Sequence, residues 1–126
     1  MKRLLTALAL FSLLFSGTAL AEARTYSQEA FDALQKDGKP TLVEIHATWC
    51  STCRAQVPII DGLLKEKEFA GITALRVDYD DQKDIVRSFR VQRQATLIIF
   101  KDGKEVGRST SDTSREGVRK LLQKAL

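Results

Sequence analysis

The chain is expected to fold as an α/β domain with a mixed central sheet and helices on both faces. Apolar residues recur down the chain alternately at helical and at strand spacing. The resulting order, α-β-α-β-α-β-β-α, favours parallel strands with helices packed on both faces. An Asp-Gly turn between two β-prone runs then adds an antiparallel strand by a hairpin. At 126 residues the chain holds one domain and not two. Its 29% of charged residues is ordinary for a soluble domain and excludes a largely disordered or membrane-embedded chain. Two Cys and one His neither staple a disulfide-rich mini-protein nor complete a structural zinc site within one chain.

Residues 1–21 read differently from the rest. Lys2 and Arg3 precede an apolar run from Leu4 to Phe15, and the small-x-small triplet Ala19-Leu20-Ala21 follows. This is the pattern of a secretory signal peptide, with cleavage expected near Ala21 and a second small-x-small triplet at Ala21-Glu22-Ala23. The apolar run falls short of the about 20 residues a spanning helix needs, so an uncleaved anchor is the lesser alternative. Cleavage leaves a domain over 22–126, periplasmic in location and with no stable membrane insertion. It also removes two of the units in the formal net charge of +4, which leaves no electrostatic case for nucleic-acid binding.

Ser27-Gln28-Glu29 ahead of Ala30, Phe31 and Leu34 reads as a helix start: a hydroxyl cap, an early acid and apolar residues one turn apart. Asp37-Gly38-Lys39-Pro40 ends it. Thr41 to Ala47 is a short strand in which Glu44 interrupts the apolar Leu42, Val43 and Ile45. Trp49-Cys50-Ser51-Thr52-Cys53 follows and opens a helix expected from about Cys50 to Lys67, with Val57, Ile60 and Leu64 in period. Pro58 is expected to kink it, since proline lacks the amide donor and clashes with the preceding turn. Ile72 to Val77 is a second buried strand. Asp80-Asp81 precede a short helix carrying Ile85, Val86 and Phe89. Thr96 to Phe100 and Glu105 to Ser109 flank the hairpin turn. Ser111 to Ser114 cap a last helix with Val118, Leu121, Leu122 and Ala125 on one face.

The dithiol carries the chemistry. Cys50 sits at a strand-to-helix junction, where unpaired amides and the helix dipole favour negative charge. A thiolate is stabilised there, and the thiolate is the nucleophile. Cys53 follows one turn later, close enough to attack a mixed disulfide on Cys50. The plain alternatives are a structural disulfide, which gains little from so small a loop, and metal binding.

Beyond the dithiol, the chain resembles the thioredoxin family across Ser27 to Leu126. Val43-Glu44-Ile45-His46-Ala47-Thr48-Trp49-Cys50 is similar to that family's strand and active-site segment. Pro58, five residues after Cys53, matches its helix proline. Val77-Asp78-Tyr79-Asp80 resembles the end of its central strand. Phe89-Arg90-Val91 ahead of Thr96-Leu97-Ile98-Ile99-Phe100 resembles the approach to its substrate loop.

The resemblance implies a thioredoxin fold, with a central mixed sheet flanked by helices on both faces. It implies a thiol:disulfide oxidoreductase in which Cys50 attacks and Cys53 resolves, with no dissociable cofactor and no metal. It places Glu44 as a buried acid beneath the dithiol that relays a proton to or from Cys53, its pKa raised by burial. A solvent-facing strand residue is the alternative for Glu44. Arg76 aligns with the basic residue that pairs with that acid. Trp49 is implied to shield the dithiol and offer a contact surface, and Gln94-Ala95-Thr96 to form the substrate loop. His46 reads as a half-buried strand residue. The implied partners are disulfide-containing proteins and, as electron donor, a membrane thiol-transfer protein.

One departure matters. Where the family has a cis-proline before Thr96, this chain has Ala95. A non-proline cis bond costs about 2.5–4 kcal/mol, so a trans bond is expected unless the surrounding fold enforces cis. Loss of the ring is expected to open access to Cys50 and Cys53. Exposed thiolates suit a soft metal, so a binding or metal-handling module without turnover stands as an alternative function. Arg87, Arg90 and Arg93 near the same loop read either as a basic rim favouring acidic partners or as solvated charge. Ser51-Thr52 places no charge between the cysteines, which favours reduction of disulfides in exported proteins over the opposite role of a disulfide-forming oxidant.

Overall fold

The computed structural model describes residues 22–126. The signal-peptide segment expected at 1–21 lies outside the described residues. Strands β1 (Arg24–Thr25), β2 (Thr41–His46), β3 (Thr73–Asp78), β4 (Thr96–Lys101) and β5 (Lys104–Thr110) form one sheet in the order β1-β3-β2-β4-β5. Helices α1 (Gln28–Lys36), α2 (Ser51–Leu64), α3 (Lys83–Ser88) and α4 (Arg115–Gln123) cover it, with a single 3-10 turn at Lys67–Phe69. Among the described residues, no helix is long and apolar enough to cross a membrane.

Side-chain alternation along the strands divides the core into two layers. Leu42, Ala74, Leu97 and Ile99 point to one face and meet Ile60, Leu63 and Leu64 of α2 and Val118, Leu121 and Leu122 of α4. Val43, Ile45, Leu75, Val77, Ile98 and Phe100 point to the other, against Phe31 and Leu34 of α1 and Val86 of α3. Phe31, Phe89 and Phe100 stack with ring centroids 5.1–5.9 Å apart, in tilted to edge-on contacts that lock this second layer.

The local signals act as read. Ser27 Oγ accepts the Ala30 amide at 3.1 Å and caps α1. Gly38, at φ +64, ends α1 in a paired motif: its own amide reaches the Gln35 carbonyl and the Lys39 amide the Leu34 carbonyl. Asp102 and Gly103 both take positive φ in the hairpin turn, as its tight form demands.

Three features differ from the expectation. β1 was not foreseen: two residues carry no periodic signal, and their parallel pairing with Leu75 and Arg76 of β3 is a tertiary event. α2 stops at Leu64 rather than near Lys67. Glu66 turns extended (ψ 144) and its carboxylate binds Arg115 at 3.0 Å and Arg119 at 2.6 Å, so α4 sets this boundary. β4 runs antiparallel to β2, whereas β1 and β2 run parallel to β3. The connection from β3 to β4, which contains the six-residue α3, returns the chain to the sheet at the end where β3 left it.

Candidate active site

β2 leads through Ala47 and Thr48 to the start of α2, and the N-cap position falls on Cys50. Its backbone is extended (φ −82, ψ 111), and its Sγ accepts the Cys53 amide at 3.1 Å. Sulfur thus occupies the place a serine or aspartate oxygen usually takes at a helix start. Cys50 and Cys53 are joined in a disulfide with Cα atoms 5.2 Å apart. On reduction, the same amide and the positive end of α2 face Cys50 Sγ and favour its anion. The helix runs on through Pro58, whose missing amide leaves the Arg54 carbonyl without its usual partner.

Access differs from the expectation. Cys50 is 4% exposed and Cys53 1%, and both cluster with Ala47 and Ala95, with Tyr79 packed against the group. Loss of the proline ring has not opened the site, because Ala95 is pinned against it. No cis peptide bond occurs among the described residues, so the bond before Ala95 is trans, and Ala95 adopts φ +60. A left-handed alanine costs about 1–2 kcal/mol. Three hydrogen bonds hold it. The Ala95 amide donates to the Ile45 carbonyl at 2.8 Å, and the Ala95 carbonyl accepts from the Ser111 amide at 2.9 Å and from Gln56 Nε2 at 3.2 Å.

The loop's neighbours are placed as follows. Gln94 is half-buried. Thr96 is buried at the head of β4; its hydroxyl donates to the Arg93 carbonyl at 2.8 Å and lies 3.1 Å from the Thr110 hydroxyl. Trp49 is 58% exposed beside the dithiol, with its Nε1 donating to Asp80 Oδ2 at 2.7 Å and its ring edge-on to Tyr79.

Glu44 lies on the α2 face of the sheet and is 3% exposed, which answers the alternative of a solvent-facing residue. Its Oε1 pairs with Arg76 Nη2 at 3.5 Å, while Oε2 has no hydrogen-bond partner. Burial pushes its pKa up to about 7; Arg76 opposes that rise, and the nearby charge of Asp61 adds to it. No hydrogen bond joins Glu44 to either cysteine among the described residues, so the strand brings the acid beneath α2 without touching the sulfurs. His46 is half-buried at the end of β2, in a recess shared with Arg76, Asp78 and Gln82. Burial, and then Arg76, lower its pKa, against the opposing charge of Asp78. Among the described residues no group of three or more His, Cys, Asp or Glu side chains is placed to hold a metal ion.

Two residues were missed. Gln56 is buried on α2, and its Nε2 bridges the Ala95 carbonyl and the Asp112 carbonyl (2.9 Å), tying the loop before β4 to the one before α4. Its signal was present: Cys53, Gln56, Ile60 and Leu63 share one helical face, and a polar residue in that stripe needs a partner. Asp61 carries an unpartnered buried Oδ1, and burial raises its pKa. Nothing in the local pattern pointed β2 and α2 at each other here.

A family model described as Thioredoxin matches residues 22–124. The chain belongs to the thioredoxin family. It is 33% identical over 95 residues to a thioredoxin of Echinococcus granulosus, covering 75% of this chain and 86% of that one. It is 37% identical over 79 residues to a thioredoxin of Mycobacterium tuberculosis, covering 63% and 66%. Its fold is similar to the crystal structure of Trxlp from Edwardsiella tarda, with TM-score 0.76 and 35% identity over 78% of this chain and 95% of that one. As a thioredoxin-family member with the Cys50–Cys53 pair, the protein is a thiol–disulfide oxidoreductase that acts on disulfide-containing proteins.

Proposed function

We propose that this thioredoxin-family protein is exported and reduces disulfides in proteins of the cell envelope. The observation that carries the chemistry is Cys50 Sγ at the N-cap of α2 with the Cys53 amide aimed at it. In the reduced protein, the Cys50 thiolate attacks one sulfur of a partner disulfide. A Cys50–partner bond forms, the partner S–S bond breaks, and the departing sulfur takes a proton. Cys53 then loses its proton, carried through a water to Glu44, whose Oε2 has no hydrogen-bond partner, and attacks Cys50 Sγ. The Cys50–Cys53 bond forms, the Cys50–partner bond breaks, the second partner sulfur takes up the proton released by Cys53, and the partner leaves as a dithiol with two electrons gained. A carboxyl with a pKa of about 7 is suited to this proton at neutral pH. Exposed Trp49 and half-buried Gln94, at the edge of the Gln94-Ala95-Thr96 loop whose Ala95 packs on the sulfurs, are the surfaces a partner meets.

Export rests on the pattern at 1–21: two basic residues, a short apolar run and a small-x-small triplet ending at Ala21. The reducing direction rests on the uncharged Ser51-Thr52 pair, which adds no cation between the cysteines. An envelope location calls for a membrane thiol-transfer protein to return the pair to its dithiol form.

The test is to express the full chain with Cys53→Ala, fractionate the cells and recover the mixed disulfides. Envelope proteins held through Cys50, together with a mature N-terminus near residue 22, support the reading. Cytoplasmic partners and an intact Met1 overturn export. A reduction potential above the about −180 mV of protein disulfide isomerase overturns the direction.

A further inference from the structure

The Ala95 loop has a second face. Behind it, Arg90, Arg93 and Arg108 line one recess of about 250 Å³, with Val91, Gln92, Thr96 and Thr110. Arg108 is neutralised there: its guanidinium binds Glu105 at 2.9 and 2.5 Å and donates to the Phe89 carbonyl at 3.1 Å. Arg90 and Arg93 are exposed and form no ion pair with any described residue. The recess therefore holds about two units of uncompensated positive charge against a wall that is already organised. Arg90 also sits at φ +54, where glycine would be free of strain and arginine is not.

The recess is fixed to the dithiol. The Thr96 hydroxyl and the Arg93 carbonyl are joined at 2.8 Å, and the Tyr79 hydroxyl donates to the Gln92 carbonyl at 3.2 Å. Ala95, two residues beyond Arg93, packs on both cysteines. Two residues of chain span at most about 7 Å, so a polypeptide whose cysteine meets Cys50 has its nearest neighbours within reach of these arginines.

We propose that the Arg90–Arg93 recess recognises an aspartate or glutamate lying within about three residues of the reactive cysteine of the partner protein. The inference rests on the dithiol reading above, whose substrate class it narrows. Carboxylates are the fit, because planar guanidiniums with free donors pair with them directly, and Glu105 on Arg108 already shows the geometry within this wall.

The test uses synthetic peptide disulfides that are identical except for Glu, Gln or Lys next to the cysteine, with oxidised glutathione as a small-molecule carboxylate. The readout is the ratio of kcat/KM for the Glu peptide over the Gln peptide, at low and high salt. A ratio of about ten at low salt is expected, shrinking as salt screens it, with the Lys peptide slowest. In the double variant Arg90→Gly, Arg93→Gln the ratio should fall towards one. In Lys36→Gln, Lys39→Gln, which removes two exposed cations from the other end of the domain, it should stay near ten. Equal use of Glu and Gln peptides by the unaltered protein overturns the inference and leaves the oxidoreductase reading intact, as does an unchanged ratio in the Arg90, Arg93 variant. Faster reduction of glutathione than of the Glu peptide assigns the recess to a small molecule and overturns it too. Failure to reduce any of these disulfides overturns the dithiol reading and this inference with it.

Discussion

Replacing Glu44 with glutamine should remove a large part of the pH dependence of stability. The buried carboxyl binds its proton more tightly in the folded chain, where its pKa is about 7, than at its ordinary value of 4.5. Its protonated form therefore supports folding. That contribution is complete below pH 4.5 and is lost as pH rises towards 7, because the folded state must then hold a charge it solvates poorly. The gap is worth about 3 kcal/mol at 1.36 kcal/mol per pKa unit. Urea unfolding of the disulfide form, in which no thiol titrates, measures it. Between pH 4.5 and pH 8, unaltered protein should lose about 3 kcal/mol more stability than Glu44→Gln. The variant also loses the Arg76 contact, so the comparison is of the slopes of the two curves and not of their heights. Asp61 titrates in both proteins and largely cancels. Parallel curves across this range would refute the claim that Glu44 is desolvated, and with it the reason for assigning it the proton of Cys53.

Other outcomes follow from single contacts. Cys50→Ser should abolish insulin reduction, and Cys53→Ala should accumulate a mixed disulfide visible on a non-reducing gel; turnover by Cys50→Ser would transfer the attack to Cys53. Gln56→Leu leaves the Asp112 carbonyl without its side-chain donor and frees one of the bonds holding Ala95. It should cost about 1–3 kcal/mol and speed alkylation of reduced Cys50, whereas an unchanged alkylation rate would show that the loop is held without it. Ala95→Pro introduces a ring that cannot take φ +60 and deletes the donor to Ile45. It should destabilise the protein by more than about 1 kcal/mol in urea, and an unchanged midpoint would show that the loop rebuilds without strain.

The elements that depend on neighbours in sequence were legible. Ser27 and Gly38 bound α1 by hydrogen bonds that reach no further than four or five residues. Asp102-Gly103 sets its hairpin by backbone freedom alone. Cys50 and Cys53 advertise their reaction because a helix start and a one-turn spacing are local properties. The direction of β4 was not legible, since it is decided by its pairing with β2, a contact distant in sequence. The end of α2 was not legible either, because Glu66 answers to arginines on α4, far along the chain.

The site divides along the same line. The amino-acid order alone determined that a thiol pair opens a helix after a buried strand, and that an acid sits six residues ahead of the first cysteine on the strand leading to it. Only the tertiary structure decided how closed that pair is. Ala95 covers the sulfurs because Ile45, Gln56 and Ser111, from three separate parts of the chain, bind its backbone at once. Burial between β2, β3 and α2 pushes the Glu44 pKa up to about 7, with Asp61 adding to the rise and Arg76 opposing it. Desolvation and multi-point hydrogen bonding depend on which surfaces meet, and a linear pattern does not carry that information.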